Sequence, residues 1–492
     1  MKKKLLAYAV PLLLATSSMS IAAPIELFTQ DYETITEALL DKSYGFIVKE
    51  IDTSIEADAM SENIGNFQAT TSILLQDEET NITSTENGEV VFTNYAEGKG
   101  AATIISKADL VIANSNEALF VLKDIAQQTQ IDRENLQYKF TQQYPEIVLD
   151  SDSLNGGSLH VAGAEGKGLF TFTDNFKVID NFDAAYQIGK ITLKNEAQGL
   201  RSLVVDDSAI SSVIIPSDLY QKTEIIFNGI ALEVMPEAVT RAGFNQLNIA
   251  QFTYDSGVEK VTDQAGVFNH FVVKDLTLQP AISEAEVTFG DFKLGFNIAP
   301  VTNEILSQDF LALSNEYMLN AEQMNPYAYL QKVFVDGSSI KMTLDGKLAD
   351  FGSQNALNIT PSSELIDQLA KVDFMNNPDE VDEIFAGLTF FEFVNQYIDA
   401  IDLELSVDQN YAIELGSNIL IASGKHVSMD SARKEMKELY QQFQLMATLI
   451  NAETPLVEFV GGKAHIHVQY QDGTWLVNDQ VVDLEAIAAL FG

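Results

Sequence analysis

The chain has 492 residues, 46% hydrophobic and 20% charged, which marks it as globular and not disordered and at this length favours two domains over one. Its 71 acidic against 29 basic residues give a formal net charge of −42, which argues against a nucleic-acid partner and against an electrostatic hold on anionic lipid. Cysteine is absent, so disulfides, thiol nucleophiles and thiolate metal sites are ruled out.

Residues 1 to 22 have the form of a secretory signal peptide. Lys2, Lys3 and Lys4 precede an apolar run from Leu5 to Leu14, and Ser20-Ile21-Ala22 is a small-x-small cleavage site. The run is short and broken by Pro11, which disfavours a transmembrane helix, and no later segment is long and apolar enough to span a bilayer. Cleavage after Ala22 removes three lysines and takes the charge from −42 to −45. An exported, cysteine-free, acidic chain fits a bacterial periplasm.

Asp31 to Lys42 reads as a short helix with Ile35, Ala38 and Leu39 on one side. From Gly45 to about Pro300 the pattern is one of strand-length alternating runs separated by Gly, Asn, Asp and Ser. Val287 and Phe289 are followed out of phase by Phe292, Leu294, Phe296 and Ile298, so Gly290-Asp291 marks a turn or bulge. Ala96-Glu97-Gly98-Lys99-Gly100 recurs as Ala164-Glu165-Gly166-Lys167-Gly168, which suggests two similar hairpins. Neither copy has the length or the following Ser/Thr of a phosphate-binding loop. Asp150 to Gly157 resembles a calcium loop, but Leu154 occupies a ligand position and Val161 stands where a bidentate Glu belongs, so a Gly-rich connection is the better reading.

Beyond residue 300 helices enter. They are expected over Ser307 to Ala321, Tyr327 to Val335 after Asn325-Pro326, Ser363 to Lys371, Pro378 to Ala386 capped by Asn377, and Phe390 to Ala400 capped by Thr389. Ile340, Met342 and Leu344 alternate before a turn at Asp345-Gly346, with Leu357 and Ile359 returning. Leu403, Leu405 and Val407 form another strand, with Ile413 and Leu415 paired to it. Asp430 to Ile450 is the best helix, its stripe of Ala432, Met436, Leu439, Phe443, Met446 and Ile450 laid across the sheet. Ala464 to Tyr470 alternates into Asp472-Gly473, a turn that places Tyr470 opposite Trp475 and Val468 opposite Val477; Asn478-Asp479 turns again before Val481-Val482. Asp483 caps a last helix over Leu484 to Phe491.

The fold class is therefore α+β, predominantly antiparallel β. After the signal over 1–22 come a β-rich domain over 23–300 and an α+β domain over 301–492 with helices packed on an antiparallel sheet.

The stretch from Asn325 onward resembles the YdgA-like family of Gram-negative envelope proteins, a family of unknown function. The likeness is carried by Gln354-Asn355-Ala356-Leu357-Asn358, the Asp430 to Ile450 helix, Val468-Gln469-Tyr470-Gln471-Asp472-Gly473, Val477-Asn478-Asp479-Gln480 and Asp483-Leu484-Glu485. The resemblance implies a periplasmic protein held at the inner membrane and implies no catalytic residues. The cleavable form of this chain's signal departs from such an anchor.

Catalytic signals are sparse. No Gly-x-Ser-x-Gly elbow occurs, and Asp206-Asp207, adjacent in a strand, would point to opposite faces. His465 and His467, at i and i+2, are the only close pair among five histidines, and a metal would need further ligands such as His426 or nearby carboxylates. No cofactor is implied. With 29 Phe and many strands, the residues favour a non-enzymatic scaffold or an apolar groove for an envelope protein or lipid. The alternative is an exported metal-dependent hydrolase using His465 and His467.

Overall fold

The computed structural model describes residues 19–40, 48–75, 80–114, 117–149, 157–282, 286–319, 325–372, 384–451 and 455–483. Most of the signal over 1–22, the Asp150 to Gly156 stretch, the start of the Pro378 to Ala386 helix and the Leu484 to Phe491 helix lie outside these residues. The architecture is α+β and predominantly antiparallel β, as expected. Among the described residues no helix is long and apolar enough to cross a membrane. By contacts the chain forms two compact units, one from residues 19–40, 48–142 and 169–179, the other from 143–168 and 180–483. Helices become frequent after Val301.

The first unit is a meander of long strands, β1 (Val48–Ser61), β2 (Ile64–Leu75), β3 (Thr80–Ala96), β4 (Lys99–Asn114) and β5 (Glu117–Asp132), each paired antiparallel to the next. Helix α1 (Met19–Leu39) starts well before the expected Asp31, because Ile25 and Phe28 extend the stripe of Tyr32, Ile35 and Ala38, and all five are buried. Phe28 packs edge-on against Phe67 and Phe92, at 5.6 and 5.9 Å between ring centres.

Two carboxylates are sealed beneath this helix. Asp31 is ion-paired with Arg133 at 3.1 Å and accepts the Tyr95 hydroxyl; Glu86 accepts the hydroxyls of Tyr32 and Ser106. Burial pushes both carboxyls above their ordinary range, outweighing the hydrogen bonds that hold them down.

The second unit is built on β6 (Tyr220–Val234), β7 (Phe244–Val261), β8 (Gln264–Pro280), β9 (Val287–Val301), β10 (Phe334–Leu348), β11 (Phe351–Pro361) and β12 (Ile398–Asp408), again paired antiparallel in succession. The longer helices between and after them are α2 (Gln308–Leu319), α3 (Pro326–Val333), α4 (Ser363–Leu369), α5 (Phe390–Tyr397), α6 (Gln409–Ala422) and α7 (Met429–Asn451). A C-terminal group of β13 (Glu458–Val460), β14 (Lys463–Gln471), β15 (Thr474–Val477) and β16 (Gln480–Val481) completes the sheet, with β14 against β12.

Local chemistry sets these boundaries. Asn325 and Ser362 cap α3 and α4, and Thr389 with Glu392 forms a reciprocal capping box on α5. Asp472 and Gly473 both take positive φ, 50° and 76°, giving the tight hairpin and the Tyr470–Trp475 and Val468–Val477 pairs expected of it. Asn478 and Asp479 repeat the geometry at 46° and 63° before Val481.

Four expectations are corrected. Asp345-Gly346 lies inside β10, and the chain turns instead at Ala349-Asp350; Gly346 is small because the Tyr411 hydroxyl lies over it. Ile413 and Leu415 belong to α6, since the Asp408 side chain accepts from the Asn410 N–H at 2.7 Å and starts a helix where a paired strand was expected. The second Ala-Glu-Gly-Lys-Gly copy opens a strand, Ala164–Thr173, and only the first makes a turn. Helix α7 packs on α6, where Gly416 faces Met436, and buries Ala432, Tyr440 and Ala447, leaving Leu439, Phe443 and Met446 of the expected buried stripe exposed.

The buried Glu86 gives a sign for the pH dependence of stability. Its folded pKa lies above the ordinary 4.5, so its contribution is fully present below that value and is lost as pH rises through the folded pKa. Glu86→Gln keeps polar partners for Tyr32 and Ser106 without an ionisable proton. Its melting temperature relative to wild type should rise progressively from pH 4 to pH 7; a difference that is constant or falls with pH contradicts the assignment.

Candidate functional site

The second unit keeps one side of its sheet apolar across eight strands. Residues opposite each other in antiparallel register share a face, and residues two apart on one strand share it too. One row runs Ile225, Tyr254, Phe271, Leu294, Leu344, Asn355, Leu405, Ile466 from β6 to β14. The next runs from Phe296 on β9 through Met342, Leu357, Leu403 and Val468 to Val477 on β15. Asn355 is the polar exception, and its amide turns back to the Leu344 carbonyl at 2.8 Å. Gly290, at φ 77°, sits in a register shift that brings Val287 back onto the face of Leu278, as the break in the sequence pattern required.

Helices cover the two margins of this face. At one, Ile298 and Val267 pack into a core of Val258, Ala265, Val301, Ile305, Leu306, Phe310 and Val333 with Tyr329 of α3. Along the same row Tyr470 donates to Asn395 of α5 at 3.0 Å, and Phe391 stands edge-on to Trp475. At the other margin α6 sets Tyr411 over Gly346 and packs Leu420 and Ile421 against Val287, Leu278 and Phe289, with Ala432 of α7 completing the cluster. Arg433 of α7 clamps Glu414 of α6 at 2.7 Å.

Between the margins the face is open. Leu344 is 51% exposed, Leu294 47%, Phe271 39%, Met342 39% and Phe296 36%, on three neighbouring strands. Two strand steps of about 4.8 Å separate the outermost of these three strands, so the exposed patch is roughly 10 Å across, and its two rows make it about 14 Å along the strands. These five side chains form one contiguous exposed apolar patch on a chain of net charge −42.

The reverse face of the same strands is polar, with Glu224, Asp255, His270, Thr343, Glu404 and His467 in one row. His465 and His467 therefore lie on the side away from the strip. Their rings are 6.5 Å apart, and His467 Nε2 is 2.9 Å from Asp402 Oδ1. His426 is not brought to them, its nitrogens facing Ser431 and Glu435 at 2.9 and 2.5 Å. Among the described residues no group of three or more His, Asp or Glu is placed to hold a metal ion. A cavity of about 410 Å³ on this face is lined by Lys274, Lys293, Lys347 and Lys463 together with Asp291, Asp345 and Asp350. Lys293 lies opposite Asp345 and Asp291 opposite Lys347, so cross-strand pairing largely balances the charge.

Comparison with protein-family models, curated proteins and solved structures finds no match.

The openness of the strip is testable by stability. Leu344→Ala should cost less than about 1 kcal/mol in urea unfolding, because its side chain is half in water already. Leu306→Ala, the same change in the sealed margin, should cost about 2–5 kcal/mol. Equal costs would mean that the strip is packed.

Proposed function

We propose that this chain is a non-enzymatic, exported envelope protein that binds the acyl chain of a lipid along the open strip of its second unit. The observation carrying this reading is the pairing of Leu294, Leu344, Phe271, Phe296 and Met342 into one exposed ladder between two helical margins. An acyl chain is apolar along its length and needs no directed hydrogen bond, which matches a floor made almost wholly of aliphatic and aromatic side chains.

The N-terminal Lys2-Lys3-Lys4 and apolar run support export to a periplasm, and the YdgA-like resemblance of residues 325–492 supports an envelope setting. The strip also gives the many phenylalanines two uses. Phe28, Phe67 and Phe92 seal the first unit, whereas Phe271 and Phe296 are left at a surface.

Mass spectrometry of protein purified in its native state from a Gram-negative periplasm should find an acyl lipid bound, and the Leu294→Asp, Leu344→Asp double variant should emerge folded and without it. Lipid-free wild type, or equal lipid on the variant, would overturn the reading.

A further inference from the structure

The C-terminal half of α7 is a second apolar surface, separate from the strip. From Leu439 to Asn451 it carries no charged side chain, in a chain of net charge −42. Leu449 is 67% exposed, Leu445 64%, Met446 58% and Leu439 46%. At 100° per residue these four, with Phe443, sweep an arc of about 160° around the helix. Beside them stands β13, where Phe459 meets Phe443 at 6.0 Å between ring centres and Val460 is 65% exposed. The exposed positions between them on the helix are Gln441, Gln442 and Thr448, which add no charge, whereas β13 carries one exposed carboxylate, Glu458.

We propose that this half-helix seats the protein on the surface of a lipid bilayer, with Leu445, Met446 and Leu449 entering the boundary between headgroups and acyl chains. Helices that lie in the membrane plane bind through such an apolar arc. Charge selects the occupant. A second copy would bring another −42 to the contact, whereas a zwitterionic bilayer brings no repulsion. Without lysine or arginine on this half of the helix the attachment is apolar, so it is insensitive to salt and unaided by anionic lipid. The inference stands on the exposure of α7 and holds whether or not the strip carries a lipid.

Flotation of the full chain with phosphatidylcholine vesicles tests it. Wild type should float equally at low and high salt, and no better when phosphatidylglycerol is added. Leu445→Ser with Leu449→Ser, both at exposed positions that leave folding intact, should lower the partition coefficient roughly tenfold or more per leucine. Leu344→Ser, in the strip, should float as wild type does, which separates docking from lipid uptake. Failure of the wild type to float, equal flotation of the double variant, or loss of flotation in Leu344→Ser would each overturn the proposal. So would a dimer in sedimentation that the double variant dissolves, which would make the surface an interface between copies.

Discussion

The second unit is governed by a mismatch between the width of an apolar sheet face and the number of helices available to cover it. Antiparallel register commits every second side chain of β6 to β12 and β14 to one face, and a slip of one residue on any strand would reverse that commitment. Helices α2 to α5 take one margin and α6 with α7 the other. The middle of the face, at Phe271, Leu294, Phe296, Met342 and Leu344, is left partly in water. The bulge at Gly290 is part of the same constraint, since it keeps the far end of β9 in phase with the face that α6 covers.

The first unit solves the same problem in the opposite way. One helix, α1, lies on the meander and buries a complete stripe, and the aromatic rings beneath it close the core. The closure is tight enough to trap Asp31 and Glu86 with neutral hydroxyl partners, Arg133 being the one cation brought to them in the described contacts. Buried carboxylates of this kind are expensive and fix a helix in one seating.

Much of this was legible in residues. Short-range chemistry read well: Asp472-Gly473 fixed the register of Tyr470 with Trp475, and Asn325, Ser362 and Thr389 each announced a helix start. Where two local readings compete, the sequence misled. Asp345-Gly346 looks like a turn, yet its glycine makes room for Tyr411, a contact made across 65 positions of chain that no local pattern reports. Ile413 and Leu415 alternate as a strand would, but the cap at Asp408 decides for helix. The strip itself was visible only as alternation in Leu294, Phe296 and Ile298, and alternation says which residues share a face without saying whether anything covers it. His465 and His467 stand out in the sequence as a close pair, yet their side of the strand is the charged, solvated one.

What touches the middle of the apolar face in the cell decides whether it binds lipid. A photoreactive amino acid placed at Leu344, and in a parallel chain at His467 on the reverse face, reports the neighbours of both sides directly. Lipid adducts are expected from position 344 and none from position 467. Protein adducts from 344 in place of lipid, or equal lipid labelling at both positions, would contradict lipid binding by this face.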